Sequence, residues 1–289
     1  MAQQKLTVIV TCTNRKSATP SHDLMVRNLP PGELDARALD WLAALSRSRP
    51  TVRLSELYSG ETWVQVKRLV ATSTSLGWET EVLVASAGLG LRSLGDNVPA
   101  YAATFSAGHP DSVAASTTEA QAWWMSLPRA DAPKGGRAVW VLSEAYSRVI
   151  GDDLLERLAP AELLVFGGSK EIPDGVRIAS NRSLRRALGG TVTSLNVRAA
   201  TQWLRLSSNA GLFSDRAHEL WRDWSDQARH PEEYIRRPVS DSAVLAFVDA
   251  LWRQQPEISK TRALQKLRES GAACEQRRFS DLFQQAVSR

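Results

Sequence analysis

The clearest indication of the fold is the segment Leu6-Thr7-Val8-Ile9-Val10-Thr11-Cys12-Thr13-Asn14-Arg15-Lys16-Ser17. Its apolar, β-branched first half is typical of a buried strand. The strand ends at a cysteine, and two cations follow within four residues. Ligands of open α/β sheets bind beyond the carboxyl ends of the strands, and neighbouring cations favour the reactive thiolate. The stretch therefore predicts either a reactive thiol at a ligand-binding edge or a buried cysteine followed by a solvated basic loop.

Downstream of this strand, apolar runs alternate with segments of helical periodicity. An extended segment is predicted at 192–197, and further strands are predicted at 52–58, 81–86, 138–143 and 163–168. Helices are predicted at 33–48, 62–76, 117–126, 151–158 and 199–207. Strands that alternate with helices are typical of α/β folds, so we expect a mixed or largely parallel sheet flanked by helices.

The last fifty or so residues show helical periodicity alone. We place a domain boundary after Pro238, which gives an α/β domain at residues 1–238 and a small helical domain at residues 239–289. Its helices are predicted at 243–254, 259–268 and 274–286. A helix, a glycine turn and a basic helix together outline a helix-turn-helix. This domain is expected to bind either nucleic acid or another protein.

The composition is that of a globular protein and predicts no metal site. Of 289 residues, 43% are hydrophobic and 23% are charged, and no apolar run reaches the roughly 18 residues of a membrane span. No export signal precedes the first strand, so we expect a cytoplasmic location and free thiols. Cys12 and Cys274 lack metal-ligand spacing, and so do the four histidines.

Arginines are concentrated in one acid-free window, residues 175–209. It contains six arginines and no Asp, Glu or Lys, within a chain of net charge +5. Guanidinium groups match phosphate oxygens in pairs. The candidates for contacts with nucleic acid are Arg182, Arg185, Arg186 and Arg198, together with Lys260, Arg262, Arg277 and Arg278 of the helical domain. The alternative is that these cations pair with acids elsewhere in the fold.

Small and polar residues mark the ends of the other predicted strands. Ser86, Gly88 and Gly90 follow one strand, and Ser169 follows another. If these strands are neighbours, their carboxyl ends share one crevice, where glycines let backbone N–H groups approach a ligand. Ordinary turn formation explains the two glycines equally well. The sequence lacks the motifs G-x-x-x-x-G-K-[ST], G-x-G-x-x-G and G-x-S-x-G.

Three short motifs carry a resemblance to a known family. They are Cys12-x-x-x-Lys16, Leu57-Tyr58-Ser59-Gly60 and Ala85-Ser86-Ala87-Gly88-Leu89-Gly90-Leu91, the last followed by Asp96, Pro99 and Tyr101. Over residues 6–205 the chain resembles the YaaA-like superfamily, in which a Tyr-x-Gly segment precedes a Ser-x-x-Tyr-Gly-Leu…Pro-Tyr segment. Leu89 stands where that family has Tyr. The spacing of Cys12, Lys16 and Ser21 is also similar to that of the archaeosine synthase core, although Leu24 stands at its His.

Two groups of that superfamily act on 7-cyano-7-deazaguanine. Archaeosine synthase transfers an amine to the nitrile in tRNA, whereas the DpdC proteins of a bacterial DNA-modification system convert the nitrile to the carboxamide. The resemblance implies the second activity, on DNA that carries the cyano base, through a thioimidate on Cys12 beside Arg15 and Lys16. No redox step occurs, so no cofactor is expected. The alternatives are amine transfer and a non-enzymatic DNA-binding protein of stress or defence.

A set of substrate-binding residues is expected from the strand ends and from the resemblance. Asp96 is the candidate for reading the guanine-like N1–H and 2-amino edge, because a carboxylate accepts from two donors there. The full set is Ser86, Gly88, Gly90, Asp96, Tyr101, Tyr58, Ser169 and Asn196.

Overall fold

The first compact unit is built on a six-stranded sheet. The computed structural model describes residues 4–130, 134–230 and 237–287, and the chain divides into compact units at residues 1–231 and 232–289. The strands of the first unit are β1 (Gln4–Thr11), β2 (Val52–Arg53), β3 (Trp78–Ser86), β4 (Gly90–Ser93), β5 (Asn97–Val98), β6 (Arg137–Leu142), β7 (Glu162–Gly167) and β8 (Arg177–Ile178). The sheet order is β4-β3-β1-β6-β7-β8, and β2 pairs separately with β5. Only β4 runs antiparallel to its neighbour in the large sheet.

Helices flank this sheet, which confirms the predicted α/β class. They are α1 (Leu34–Arg47), α2 (Leu54–Leu57), α3 (Glu61–Ser75), α4 (Thr117–Ser126), α5 (Glu144–Leu158), α6 (Arg185–Leu188), α7 (Leu195–Leu206) and α8 (Asp215–Ala228). Within the described residues, no helix combines the length and the apolarity that crossing a membrane requires.

Strand β1 lies in the middle of the sheet, with β3 on one side and β6 on the other. Val8, Ile9 and Val10 are all buried, as expected for a continuous β-branched run that is covered on both faces. The condition set for a shared crevice is met, because the order β3-β1-β6-β7 makes the four strands neighbours and brings their carboxyl ends to one edge. Cys12 follows β1 at this edge.

Two segments predicted as extended are helical instead. Residues 52–58 form only a two-residue strand before α2, in which Leu54 and Leu57 are both fully buried. Residues three apart lie on one side of a helical turn but on opposite faces of a strand. Residues 192–197 form a 3-10 turn and the start of α7, where Leu195 and Ala199 share the buried face.

Two predicted boundaries are also corrected. The segment after the predicted strand at 81–86 is not all loop, because Gly90–Ser93 form β4, which folds back onto β3. Helix α5 begins at Glu144 rather than at residue 151, because the Ser143 side chain caps it by accepting from the backbone N–H of Tyr146.

The second unit contains the three predicted helices and one small parallel strand pair. Its elements are β9 (Arg237–Pro238), α9 (Asp241–Gln254), α10 (Lys260–Glu269), β10 (Ala272–Ala273) and α11 (Gln276–Val287). The connection between α10 and α11 is longer than the predicted glycine turn, because it contains β10, which pairs with β9. Val244, Val248 and Phe279 lie in the core of this unit. The unit begins at residue 232, before the predicted boundary.

Candidate functional site

A pocket of about 610 Å³ opens at the carboxyl end of β1. Its walls come from the loop after β1, the first turn of α3, the segment 103–109, the first turn of α5 and the turn before α7. Cys12 and Arg15, two of the three predicted catalytic residues, line it. Ligand pockets of proteins typically enclose roughly 300–1,000 Å³, so this one suits a molecule of nucleobase or nucleoside size.

Cys12 stands at the edge of the sheet with its thiol beside a tyrosine. Its backbone N–H continues the strand pairing by donating to the carbonyl of Ala85 at 2.9 Å. The thiol Sγ lies 3.0 Å from the hydroxyl of Tyr146 in the first turn of α5. The side chain is partly exposed to the pocket rather than buried in the core. A thiol at this position has a proton-exchanging partner and access to a ligand.

Three buried tyrosines surround this thiol. Burial, followed by the nearby charge of Cys12, raises the pKa of Tyr58, Tyr101 and Tyr146 well above the ordinary value of 10.0. The hydroxyls of Tyr58 and Tyr101 are joined by a hydrogen bond of 2.8 Å. All three phenols therefore stay protonated at neutral pH, and Tyr146 remains a proton donor next to Cys12.

The buried phenols make stability depend on alkaline pH. Tyrosines ionise near pH 10.0 in the unfolded chain but not in the fold, so the unfolded state releases protons first. We expect the free energy of unfolding to fall as pH rises above about 10, and urea titrations between roughly pH 8 and pH 11 measure it. Tyr58→Phe should flatten this fall. A free energy that stays constant over the same range would contradict the burial of the phenols.

Lys16 lies beneath the pocket, among the tyrosines. Its ammonium is 4.3 Å from the centre of the Tyr101 ring and 5.8 Å from that of Tyr58. It donates to the carbonyl of Thr13 at 3.4 Å. Burial lowers the pKa of Lys16, and the charges of Cys12 and Asp111 oppose this change. Lys16 therefore acts on Cys12 through its electric field and does not line the pocket itself.

Ser86 is buried next to the site and does not line the pocket of Cys12. It is buried, accepts from the backbone N–H groups of Gly88 and Leu89 and donates to the hydroxyl of Tyr101. This use of all its hydrogen-bonding capacity corrects the expectation that Ser86 binds substrate. Tyr58 and Tyr101 are equally buried, at 2% and 0% exposure, so they too act as supports.

The two glycines after β3 are required by close packing. A Cβ on Gly88 would lie 2.3 Å from the ring of Tyr101, and one on Gly90 would lie 1.8 Å from the carbonyl oxygen of Pro128. The indole N–H groups of Trp41 and Trp123 also bind this loop, at the carbonyls of Gly88 and Ala87. The loop is thus held by the core, and the turn interpretation of the glycines fits better than the ligand interpretation.

Three other predicted binding residues lie away from the pocket. Asp96 closes the turn after β4, where its carboxylate accepts from the backbone N–H of Ser93 at 3.2 Å. Asn196 donates to the carbonyl of Leu142 at 2.9 Å, which ties α7 to β6. Ser169 is buried and lines a different cavity. Each is therefore placed by a local structural contact, and none lines the pocket of Cys12.

His109 lines the pocket and was not singled out in the sequence. The backbone N–H of Asp111 donates to its Nδ1 at 3.1 Å. The Asn14 amide lies 3.2 Å from Nε2. Asp111 is in turn held by Arg27. Burial disfavours its carboxylate, but the hydrogen bonds from Arg27 outweigh this effect and lower the pKa of Asp111.

The predicted nucleic-acid contacts divide into paired and exposed cations. Arg198 is bound by Glu61 and by the carbonyl of Leu188, and Arg278 is bound by Asp241 and by the carbonyl of Val239. For these two, the alternative of internal pairing is the correct one. Arg185 donates to the carbonyl of Gly190, and Lys260 donates to Ser280. The exposed cations are Arg182, Arg186, Arg262 and Arg277.

The described residues contain no group of three or more His, Cys, Asp and Glu that could hold a metal ion. Comparisons with protein families, with curated proteins and with solved structures give no match. Functional inference for this chain therefore depends on its own residues and their geometry.

Proposed function

We propose that the first unit hydrolyses the nitrile of 7-cyano-7-deazaguanine to the carboxamide through a covalent intermediate on Cys12. The observation that carries this proposal is the partly exposed thiol at the pocket, 3.0 Å from a protonated tyrosine hydroxyl. The substrate class comes from the resemblance of the motifs around Cys12, Tyr58 and Ser86. The Lys16 side chain interacts electrostatically with Cys12, and a neighbouring cation of this kind stabilises negative charge on an attacking sulfur.

The first step is a net addition of the S–H bond across the C≡N bond. The thiolate attacks the nitrile carbon and forms the C–S bond of a thioimidate, while the nitrile nitrogen takes up one proton. Tyr146 is placed to pass this proton, because its hydroxyl contacts Sγ and its raised pKa keeps it protonated. The side-chain amide of Asn14, which also lines the pocket, offers a second N–H donor for negative charge that develops in this step.

The second step consumes one water molecule and regenerates the thiol. Water adds to the thioimidate carbon, and the tetrahedral intermediate then collapses as the C–S bond breaks. The departing sulfur recovers a proton, and the carboxamide remains. The atoms balance without any oxidant or reductant, so the proposed reaction calls for no redox cofactor.

Glu61, rather than Asp96, is the carboxylate that this proposal assigns to the guanine-like edge. It is the acid among the described residues that line the pocket. Arg198 and Thr191 each donate to its carboxylate, and although burial opposes them, hydrogen bonds from Ser194, Arg198 and Thr191 lower the pKa of Glu61. An ionised carboxylate accepts from the N1–H and 2-amino donors of the base.

DNA is the proposed carrier of the base. Chemistry on a base in a duplex requires it to be flipped out of the stack, and a pocket of about 610 Å³ accommodates one flipped base. The exposed cations Arg182 and Arg186 of the first unit, and Arg262 and Arg277 of the second, are the proposed phosphate contacts.

The experiment that tests the function compares three forms of the substrate. The protein is incubated with the cyano base, its nucleoside and DNA that contains it, and the products are identified by nucleoside mass spectrometry. A carboxamide supports the proposal, and the form that reacts fastest identifies the substrate. An amidine formed only with added ammonia or lysine would instead indicate amine transfer. Unchanged nucleosides with salt-sensitive DNA binding would indicate a non-enzymatic binding protein.

Lys16→Met should lower kcat/KM for carboxamide formation about tenfold or more. The change removes a buried ammonium that interacts electrostatically with Cys12, and the loss of one electrostatic partner at a reacting centre typically costs a factor of roughly ten or more. The measurement is kcat/KM for carboxamide formation at neutral pH. Lys67→Met, at an exposed position of α3, is the matched control and should leave kcat/KM unchanged. Equal values for the two variants would contradict the role given to Lys16.

A further inference from the structure

A small polar groove of about 140 Å³ lies between α3 and α7, and two residues of α6 complete its lining. The two helices are joined near their first turns, where Glu61 of α3 pairs with Arg198 of α7. Side chains three or four residues apart share one face of a helix, which brings the polar residues of each helix to the groove. These are Gln65 and Arg68 of α3 and Arg198, Thr201, Gln202 and Arg205 of α7.

The groove is cationic. The described residues that line it include three arginines and no acid. Arg198 is already paired with Glu61, but Arg68 and Arg205 are exposed and form no ion pair or side-chain hydrogen bond with the described part of the chain. One belongs to α3 and the other to α7, so an anion in the groove has a guanidinium on each side. Guanidinium groups match phosphate oxygens in pairs.

A buried amide also lines this groove. Gln65 is only 6% exposed, and its side chain makes no hydrogen bond within the described residues. Buried polar groups of native proteins are normally hydrogen-bonded. The side-chain atoms that are both fully enclosed and unpaired belong to other residues, so the Gln65 amide retains contact with open space, and the groove is the open space that it borders. An amide in this position is available to donate to an oxygen of a ligand.

The size of the groove limits the ligand to a small group. Pockets for whole small molecules typically enclose roughly 300–1,000 Å³, whereas this groove encloses about 140 Å³. A single tetrahedral phosphate group suits this volume, and the unpaired cations suit its charge. The remainder of a phosphate-bearing molecule therefore has to lie outside the groove.

The groove and the pocket of Cys12 meet at one ion pair. Arg198 lines the groove, and its partner Glu61 lines the pocket. Gln65 and Arg68 follow Glu61 by four and seven residues on α3, which corresponds to about 6 and 10 Å along the helix axis. This separation is comparable to that of neighbouring nucleotides in one strand, so a strand with a base in the pocket can place a phosphate in the groove.

We propose that the groove between α3 and α7 binds a phosphodiester group of DNA, with Arg68 and Arg205 as its charged contacts and the Gln65 amide as a further donor. The choice of DNA as the source of the phosphate rests on the proposed function, whereas the recognition of a phosphate group rests on the groove alone. Neither requires the chemistry at Cys12, and the test therefore uses DNA without the cyano base.

The probe is a short fluorescein-labelled single strand of unmodified DNA, and its affinity is measured by fluorescence anisotropy at several salt concentrations. The double variant Arg68→Gln, Arg205→Gln should weaken binding about tenfold or more, as expected for the loss of charge-assisted hydrogen bonds. The slope of log affinity against log salt should fall by about 0.7, the contribution of one phosphate of a single strand. The matched control is Arg47→Gln, Lys67→Gln, which removes the same charge at exposed positions outside the groove. It should change the affinity less than about threefold, because separated surface charges are screened by salt.

A second variant separates the groove from surface charge in general. Gln65→Met keeps the shape and charge of the site but removes the amide, and should weaken the strand about threefold or more, the effect of one hydrogen bond. Circular dichroism and melting temperature show that each variant is folded. Equal losses in the two double variants overturn the proposal, as does wild-type affinity in folded Gln65→Met or absence of binding to the wild-type chain.

Inorganic phosphate distinguishes the other source of the anion. It is exchanged for chloride at constant ionic strength, and the melting temperature of the wild-type chain is recorded. If phosphate raises this temperature while the strand binds to Arg68→Gln, Arg205→Gln as it does to the wild type, the groove takes free phosphate and the proposal is wrong. Carboxamide formation from the cyano nucleoside is measured separately, so failure of DNA binding at the groove is distinguishable from failure of the proposed reaction.

Discussion

Cys12→Ala is expected to abolish carboxamide formation, lowering the rate by roughly 10⁴-fold or more, as removal of a nucleophile usually does. The reason is that no other thiol lines the pocket, and the nitrile carbon then has no covalent route to the amide. The change should be nearly neutral for folding, because the side chain is small and partly exposed. The measurement is the amount of carboxamide nucleoside released per hour, by mass spectrometry.

Cys274→Ala provides the matched control for this substitution. Cys274 is the other free cysteine and is buried in the core of the second unit. Its removal should leave the rate of carboxamide formation within about twofold of wild type. Full activity in Cys12→Ala would show that Cys12 is not the nucleophile. Equal losses in the two variants would indicate general damage to the protein rather than chemistry at Cys12.

Gly90→Ala should have the largest effect on stability, because it adds a side chain at a backbone position that has no room for one. Gly90 has φ of +77°, and an added Cβ would lie 1.8 Å from the carbonyl oxygen of Pro128. That carbonyl is fixed by the N–H of Leu91 at 3.1 Å, and Ala130 is bound to Leu91 in turn. The neighbouring backbone therefore cannot yield without breaking these bonds. A positive φ alone costs about 1 kcal/mol or more, and the overlap adds to it.

The expected result is poor yield of folded protein, or a melting temperature lower by about 10 °C or more. Gly95→Ala is the control, since a Cβ there meets nothing within 4 Å, and it should melt as the wild type does. If Gly90→Ala keeps the wild-type melting temperature but loses activity, Gly90 serves the ligand rather than the fold. That outcome would restore the interpretation that the structure argues against.

The architecture could be predicted from the sequence because its strongest signals are local. In the run that ends at Thr11, Leu6 and the three consecutive residues Val8, Ile9 and Val10 are buried, and such a run indicates a central parallel strand. The secondary structure of residues 52–58 is ambiguous in the sequence, because a short apolar segment fits both the strand periodicity and the helical periodicity. The start of α5 was not predicted, because a serine such as Ser143 can be recognised as an N-cap only when the position of the helix is already known.

The site was only partly predictable, because its partners come from distant parts of the chain. Cys12 and Arg15 were found through their position after a strand. Tyr146 lies 134 residues further along and carries no motif, and the role of Glu61 depends on Arg198, far away in sequence. Ser86 resembled a binding residue because supporting and ligand-contacting serines look alike in one sequence. Burial and hydrogen-bond partners separate the two roles.

The intact mass of the protein during turnover shows whether the reaction passes through a covalent intermediate on Cys12. The protein is mixed with the cyano nucleoside, quenched in acid within seconds and analysed by mass spectrometry, followed by peptide mapping. The account predicts a mass increase equal to one whole substrate molecule, on the peptide that contains Cys12, and no increase in Cys12→Ala. Carboxamide formation at the wild-type rate with no adduct on Cys12, or an adduct on a different residue, would contradict it.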